Sequence, residues 1–314
     1  MGFSLPTESA KGRVREIELG IGDKKVKVGG ENVLPFHLWE GEMPNRPIIA
    51  AEVYDEVIDE WPVALQQALE GVINDPVAWA KKAQDEWGVD AIALMLRSTD
   101  PKATNAPADS AAETVAKVEA AVSIPVIVYG TEDLEKDAEV LKAVATKAEG
   151  KNLVMGPAKE DNHKTIGAAA IGYKQSVSAM TPIDVNLAKQ LNILLTNLGM
   201  EADKLIIDPT CGALGYGLEY TYSVMERLKI AGLFQNDSMT QMPLLGNVGF
   251  QAWKTKEAKS TAEDYPEWGD PIKRGIIWET LTGVALMMAG ADILILRHPE
   301  SIRLVKKLID ALCA

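Results

Sequence analysis

Short apolar runs recur along the chain at 48–53, 91–96, 125–129, 152–155, 175–180, 204–208, 244–248 and 292–296, each followed by a stretch of helical period. Few folds accept that rhythm. Runs this short and continuously apolar read as strands covered on both faces, the situation of a parallel sheet. Alternating βα units of this number close into a (β/α)8 TIM barrel. The sequence therefore predicts an α/β protein with a barrel over 47–314 and a lead-in over 1–46. Within that lead-in, apolar and polar residues alternate over 14–19 and 24–28 around a GIGDK turn, which predicts an N-terminal β-hairpin across the N-terminal mouth of the barrel. Function is then sought at the opposite end, where the C-terminal tips of barrel strands and their loops carry the chemistry.

Helix starts are written as a capping residue before proline at Asp75-Pro76, Thr181-Pro182, Asp270-Pro271 and His298-Pro299. After Asp184, residues Leu187, Leu191, Leu194, Leu195 and Leu198 share one face, the stripe expected of a helix laid on the barrel. Leu134, Leu141 and Val144 repeat this after the third run. The formal charge of -13 and pI near 4.8 argue against a nucleic-acid or anionic-membrane partner, since both need a basic face. With only Cys211 and Cys313, far apart, neither a disulfide framework nor an iron–sulfur or zinc site is expected from this chain alone. The start lacks an apolar export core, and the most apolar segment, 275–290, contains Glu279 and is short for a membrane span. A cytoplasmic protein is the expectation.

The strand ends read Glu52, Arg97, Tyr129, Gly156, Met180, Asp208, Asn247 and Arg297, with Ser98, Thr99 and Thr210 just beyond. No lysine ends a strand, which disfavours a Schiff-base aldolase. His37, His163 and His298 are not spaced as metal ligands. His298 and His163 read as cap or surface residues, and His37 as a candidate buried histidine. Glu52 and Arg97 read as an ion pair plugging the top of the core. Cys211 has no adjacent base and reads as inert. No glycine-rich phosphate loop supports a nucleotide.

Asp208 and Asn247 carry two readings. A carboxylate and an amide on adjacent strands can hold a flat heterocycle edge-on, or each can simply hold loop backbone. Two loops also stand out: 209–217, rich in glycine, and 249–270, which carries Phe250, Trp253, Tyr265 and Trp268 and suggests contact with a partner or ligand.

The stretches FHLWEGEMPNRP (36–47), DPTCGALGYGLEYTYS (208–223) and TLTGVALMMAGAD (280–292) resemble the small subunit of the corrinoid iron–sulfur protein, the delta-type subunit of the carbon monoxide dehydrogenase/acetyl-CoA synthase system. The likeness runs over nearly the whole chain. It implies a barrel subunit paired with a large subunit that holds a [4Fe–4S] cluster and a cobalamin-binding domain. Together they take a methyl group from a methyltetrahydrofolate:corrinoid methyltransferase and deliver it to acetyl-CoA synthase. In that family the small barrel covers the corrinoid at the subunit interface. The resemblance places Arg97, Ser98, Thr99, Asp208, Thr210, Gly212, Gly215 and Asn247 as residues lining the cobalamin, with no cobalt ligand and no catalytic residue of the chain's own. This sequence has neither a cluster-binding cysteine set nor the Asp-x-His-x-x-Gly signature of a cobalamin domain, so both cofactors must be held by the companion. The family is also distantly similar to pterin-binding methyltransferase barrels, and a free-standing enzyme holding methyltetrahydrofolate with Asp208 and Asn247 is the alternative. A third role is a scaffold that docks the methyltransferase through 253–268.

Overall fold

Each of the apolar runs is a strand, as the rhythm predicts. The computed structural model describes residues 6–57 and 60–313. The hairpin comes first, with β1 (Ile17–Leu19) antiparallel to β2 (Val26–Val28). The barrel strands follow: β3 (Ile48–Tyr54), β4 (Ala91–Met95), β5 (Val126–Tyr129), β6 (Val154–Ala158), β7 (Ser176–Met180), β8 (Leu205–Asp208), β9 (Leu244–Asn247) and β10 (Ala291–Leu296). They pair in parallel as a closed barrel, β10 returning to β3. All of β3 is buried, because one side of each strand fills the barrel and the other meets helices. That double burial is why no polar alternation is seen in these runs.

Around the strands lie α1 (Val63–Ala68), α2 (Pro76–Lys82), α3 (Ala108–Ala121), α4 (Leu134–Lys147), α5 (His163–Tyr173), α6 (Val185–Asn197), α7 (Leu218–Leu233), α8 (Val248–Ala252), α9 (Lys256–Lys259), α10 (Pro271–Ala289) and α11 (Pro299–Leu312). The Asp75 and Asp270 carboxylates and the His298 ring each accept a backbone N–H of the first helical turn, with proline at the first position. Among the described residues no helix is long and apolar enough to cross a membrane.

The hairpin sits on the N-terminal ends of the strands. Asn152, just before β6, donates to the carbonyls of Glu18 (2.8 Å) and Gly20 (3.1 Å), while Ile17, Leu19 and Val28 are buried. On the same face the Lys229 ammonium is buried between Glu31 and Asp292 (2.8 Å to Asp292). This ion cluster ties the lead-in segment to α7 and β10.

Several expectations are corrected. Thr181-Pro182 does not begin a helix. The Asp184 carboxylate takes the Asn186 and Leu187 amides at 2.7 and 2.9 Å, so α6 starts at Val185. Leu191 and Leu195 of the expected stripe are buried, together with Ala188 and Asn192, but Leu187 and Leu198 are exposed rather than packed. The 249–270 connection is not one long loop but contains α8, α9 and a single 3-10 turn at Pro266–Trp268. Its Trp253 is buried and stacks on His298, so this aromatic is core rather than contact surface. His37 is half-exposed, stacked on Trp39 and 3.3 Å from Glu40. His163 neither caps nor lies on the surface: it is the first residue of α5, buried, with its ring against the Glu160 carbonyl.

Candidate functional site

The strand tips converge on a narrow well of about 30 Å³ at the C-terminal end of the barrel, and its wall includes Arg97, Tyr129, Met180, Asp208, Asn247 and Phe250. Asp208 ends β8 and is buried. One carboxylate oxygen accepts the Tyr129 hydroxyl at 2.7 Å, and the same hydroxyl lies 2.6 Å from Ser178 Oγ. The other accepts the Thr210 amide at 3.0 Å. Burial pushes the Asp208 carboxyl up to about 6 and raises the Tyr129 phenol well above its ordinary range.

Thr210 leaves β8 with φ +62°, a left-handed conformation that a β-branched residue rarely takes. It is held there by Asp208 and by its own hydroxyl, which donates to the Thr181 carbonyl at 2.7 Å. The turn that follows folds on itself. A Cβ on Gly212 would stand 2.5 Å from the Gly217 backbone, so the close approach this glycine permits is to its own loop. Gly215 is exposed at φ +76°. Cys211 is buried, and burial raises its thiol well above the ordinary value, so it stays protonated.

Arg97, Asp208, Thr210 and Asn247 are therefore brought together at the well. The remaining expected residues are not. Ser98 gives its hydroxyl and amide to Asp55, at 2.5 and 3.0 Å. Thr99 is buried with its hydroxyl on the Leu96 carbonyl. Two polar atoms at the mouth have no hydrogen-bond partner among the described residues: Nε of Arg97, whose guanidinium otherwise reaches Asp100 at 3.4 Å, and Oδ1 of Asn247.

The expected Glu52–Arg97 pair is not formed. Glu52 binds Arg297 through two contacts, 2.8 and 3.1 Å, with the Tyr54 hydroxyl 2.6 Å from the same guanidinium. The reason is register: β10 pairs with β3, Leu296 opposite Ala51, so the next residues meet, whereas on the other side Glu52 stands opposite Ala93 of β4, well short of Arg97. Burial works against the Arg297 charge, but Glu52 outweighs it and the guanidinium is held more firmly protonated. Trp61 covers the guanidinium at 4.5 Å. Tyr129 is the residue that strand-end reading did not single out. Its signal was present, a tyrosine at a strand end, but its partner lies 79 positions away in the chain.

A closed eight-stranded parallel barrel with helices between its strands, a short hairpin under it and a well at its C-terminal mouth defines the class: a (β/α)8 barrel. Solved dihydropteroate synthases from Xanthomonas albilineans (TM-score 0.58, 14% identity, 96% of this chain and 99% of that one) and Thermus thermophilus (0.56, 15%, 95% and 100%) share this fold. At such identities the likeness shows fold alone. The family is shown by sequence: residues 16–311 match the CO dehydrogenase/acetyl-CoA synthase delta subunit model, and the chain belongs to that family. Similar relatives are acetyl-CoA decarbonylase/synthase complex subunit delta 1 of Methanosarcina thermophila, 36% identical over 92% of this chain and 66% of that protein, and subunit delta of Methanothermobacter thermautotrophicus, 33% identical over 98% and 77%. The chain thus spans just under two thirds of the length of the first of these.

Proposed function

We propose that the chain is the barrel subunit of a corrinoid methyl carrier, whose C-terminal face closes over a cobalamin held by a large subunit that also carries a [4Fe–4S] cluster. Its partners on this reading are that large subunit, the methyltetrahydrofolate methyltransferase and acetyl-CoA synthase, and its setting is the cytoplasm. Family membership supports the assignment, and one observation of the site carries it over the alternative. Both Asp208 oxygens are engaged, by Tyr129 and by the Thr210 amide, and the well beside them has about 30 Å³, room for roughly one water. An enzyme that grips a pterin edge needs a slot for a bicyclic ring beside that carboxylate. Asp208 here holds its own loop.

The mouth residues fit a ligand that lies across the face instead of entering it. A corrin is rimmed by carboxamides, each a donor and an acceptor. The Arg97 guanidinium and the Asn247 amide supply a donor and an acceptor among the lining residues, and Phe250 and Met180 offer apolar contact. Among the described residues no group of three or more His, Cys, Asp or Glu could hold a metal ion, and the protonated Cys211 is a poor ligand. When bound, the corrinoid supplies the cobalt that carries a methyl group. This chain's residues orient the ring, exclude water from its exposed face and hold the mouth loops in register.

Expression with and without the large subunit tests the proposal. Cobalt and iron should accompany the pair and be absent from this chain purified alone. Stoichiometric corrinoid on the isolated chain, or saturable methyltetrahydrofolate binding that Asn247→Ala abolishes, would overturn it; the second result would favour the pterin enzyme.

A further inference from the structure

Beside the well, and sharing Glu132, Met180 and Thr210 with its wall, a groove of about 440 Å³ opens between α6 and the loop leading into α5. Its volume is that of a small-molecule site. One wall is apolar, made by Pro182, Leu187, Leu191 and Leu194. Leu187, in the first turn of α6, is 37% exposed. The lining also contains Thr181, itself only 5% exposed, whose hydroxyl has no hydrogen-bond partner among the described residues. A buried hydroxyl left unpaired is costly, and a ligand that pairs it removes that cost.

Charge decides what the ligand can be. The Lys159 ammonium is neutralised by Glu132 at 2.7 Å, and the rim beyond it carries exposed Glu160 and Asp161. An anion is repelled there. A cation finds carboxylates only at the solvent edge, where they are screened. The polar group best matched to a single hydroxyl set in an apolar wall is a neutral one that both donates and accepts, and a primary carboxamide does both.

We infer that this groove is a subsite for a neutral carboxamide on a short hydrocarbon arm, seated with its methylenes on Leu187, Leu191 and Leu194 and its amide on Thr181. The inference rests on the carrier function proposed above, in which the arm is one of those at the corrin rim. Ring contacts at the well and an arm in the groove then fix the corrin in rotation as well as in position, which the well alone cannot do.

The test uses the complex of this chain with its corrinoid-loaded large subunit, following release of cobalamin to a scavenger by absorbance. Two variants are compared with wild type: Thr181→Val, which removes the hydroxyl at constant shape, and Leu194→Trp, which fills the groove. Both should release cobalamin faster, on the order of tenfold for Thr181→Val, while unfolding midpoints of the chain alone do not fall below the wild-type value, Thr181→Val having removed an unpaired buried hydroxyl. Among cobalamins with one peripheral carboxamide hydrolysed to a carboxylate, one isomer should leave wild-type and Thr181→Val complexes equally fast. If wild type slows release relative to the large subunit alone but neither variant departs from it, the subsite is wrong and the carrier function stands. If no hydrolysed isomer removes the difference, the ligand class is wrong. Release unaffected by the wild-type chain overturns the carrier function itself.

Discussion

Replacing Asp208 by asparagine separates the cost of burying this carboxyl from the benefit of its hydrogen bonds. The carboxyl is raised from 3.8 to about 6, chiefly by burial. At about 1.4 kcal/mol per pH unit, the rise corresponds to about 3 kcal/mol. The sign follows from linkage. Between pH 4 and 6 the folded protein binds the proton and the unfolded chain does not, so wild-type stability from this group is highest below pH 4. It falls as pH rises through 6 and is flat above. Asparagine does not titrate. It can still accept from the Thr210 amide, and its own N–H can donate to the Tyr129 hydroxyl, which in turn donates to Ser178. The difference in unfolding free energy, variant minus wild type, should therefore grow by about 2.4 kcal/mol between pH 4 and 7.5. Urea unfolding followed by tryptophan fluorescence at intervals across that range measures it, and Asp137 and Asp292, which burial raises to about 6 and about 7, cancel in the difference. Parallel curves for the two proteins would refute the argument, because the carboxyl would then titrate alike folded and unfolded.

Arg297→Met leaves Glu52 buried without its cation and should lower stability by about 3–5 kcal/mol, with much of the loss recovered in the double variant with Glu52→Gln; urea midpoints check both. Gly212→Ala places a methyl 2.5 Å from the Gly217 backbone and should cost about 1–3 kcal/mol by overpacking. Gly215→Ala, where only the positive φ resists, should cost about 1 kcal/mol by the same measurement. Lys229→Met strands Glu31 and Asp292 in the interior beneath the barrel. It should raise the susceptibility of the 6–46 segment to proteolysis, at a cost of about 3–5 kcal/mol in global stability.

The strand positions, the hairpin and three of the four proline-marked helix starts were legible because each depends on neighbours in the chain: alternation, continuous apolarity, and a side chain placed two or three residues before the amide it accepts. Thr181-Pro182 had the same local signature as the other starts and failed, since Asp184 offered the better-placed acceptor. The leucines of α6 had the right period, yet the period cannot say whether a facing helix lies close enough to cover Leu187 and Leu198. Around the mouth, strand-end position found Arg97, Asp208, Thr210 and Asn247, but it also collected Ser98 and Thr99, whose side chains turn inward to Asp55 and the Leu96 carbonyl.

By itself, then, the order of residues determined the barrel, the end at which its polar well lies and the family to which the chain belongs. Only the closed structure decided partners across the barrel: Glu52 with Arg297 rather than Arg97, and Tyr129 with Asp208. Those choices arise from register and closure, which bring together groups 245 and 79 positions apart, and a buried charge or hydroxyl must take whichever partner that geometry delivers.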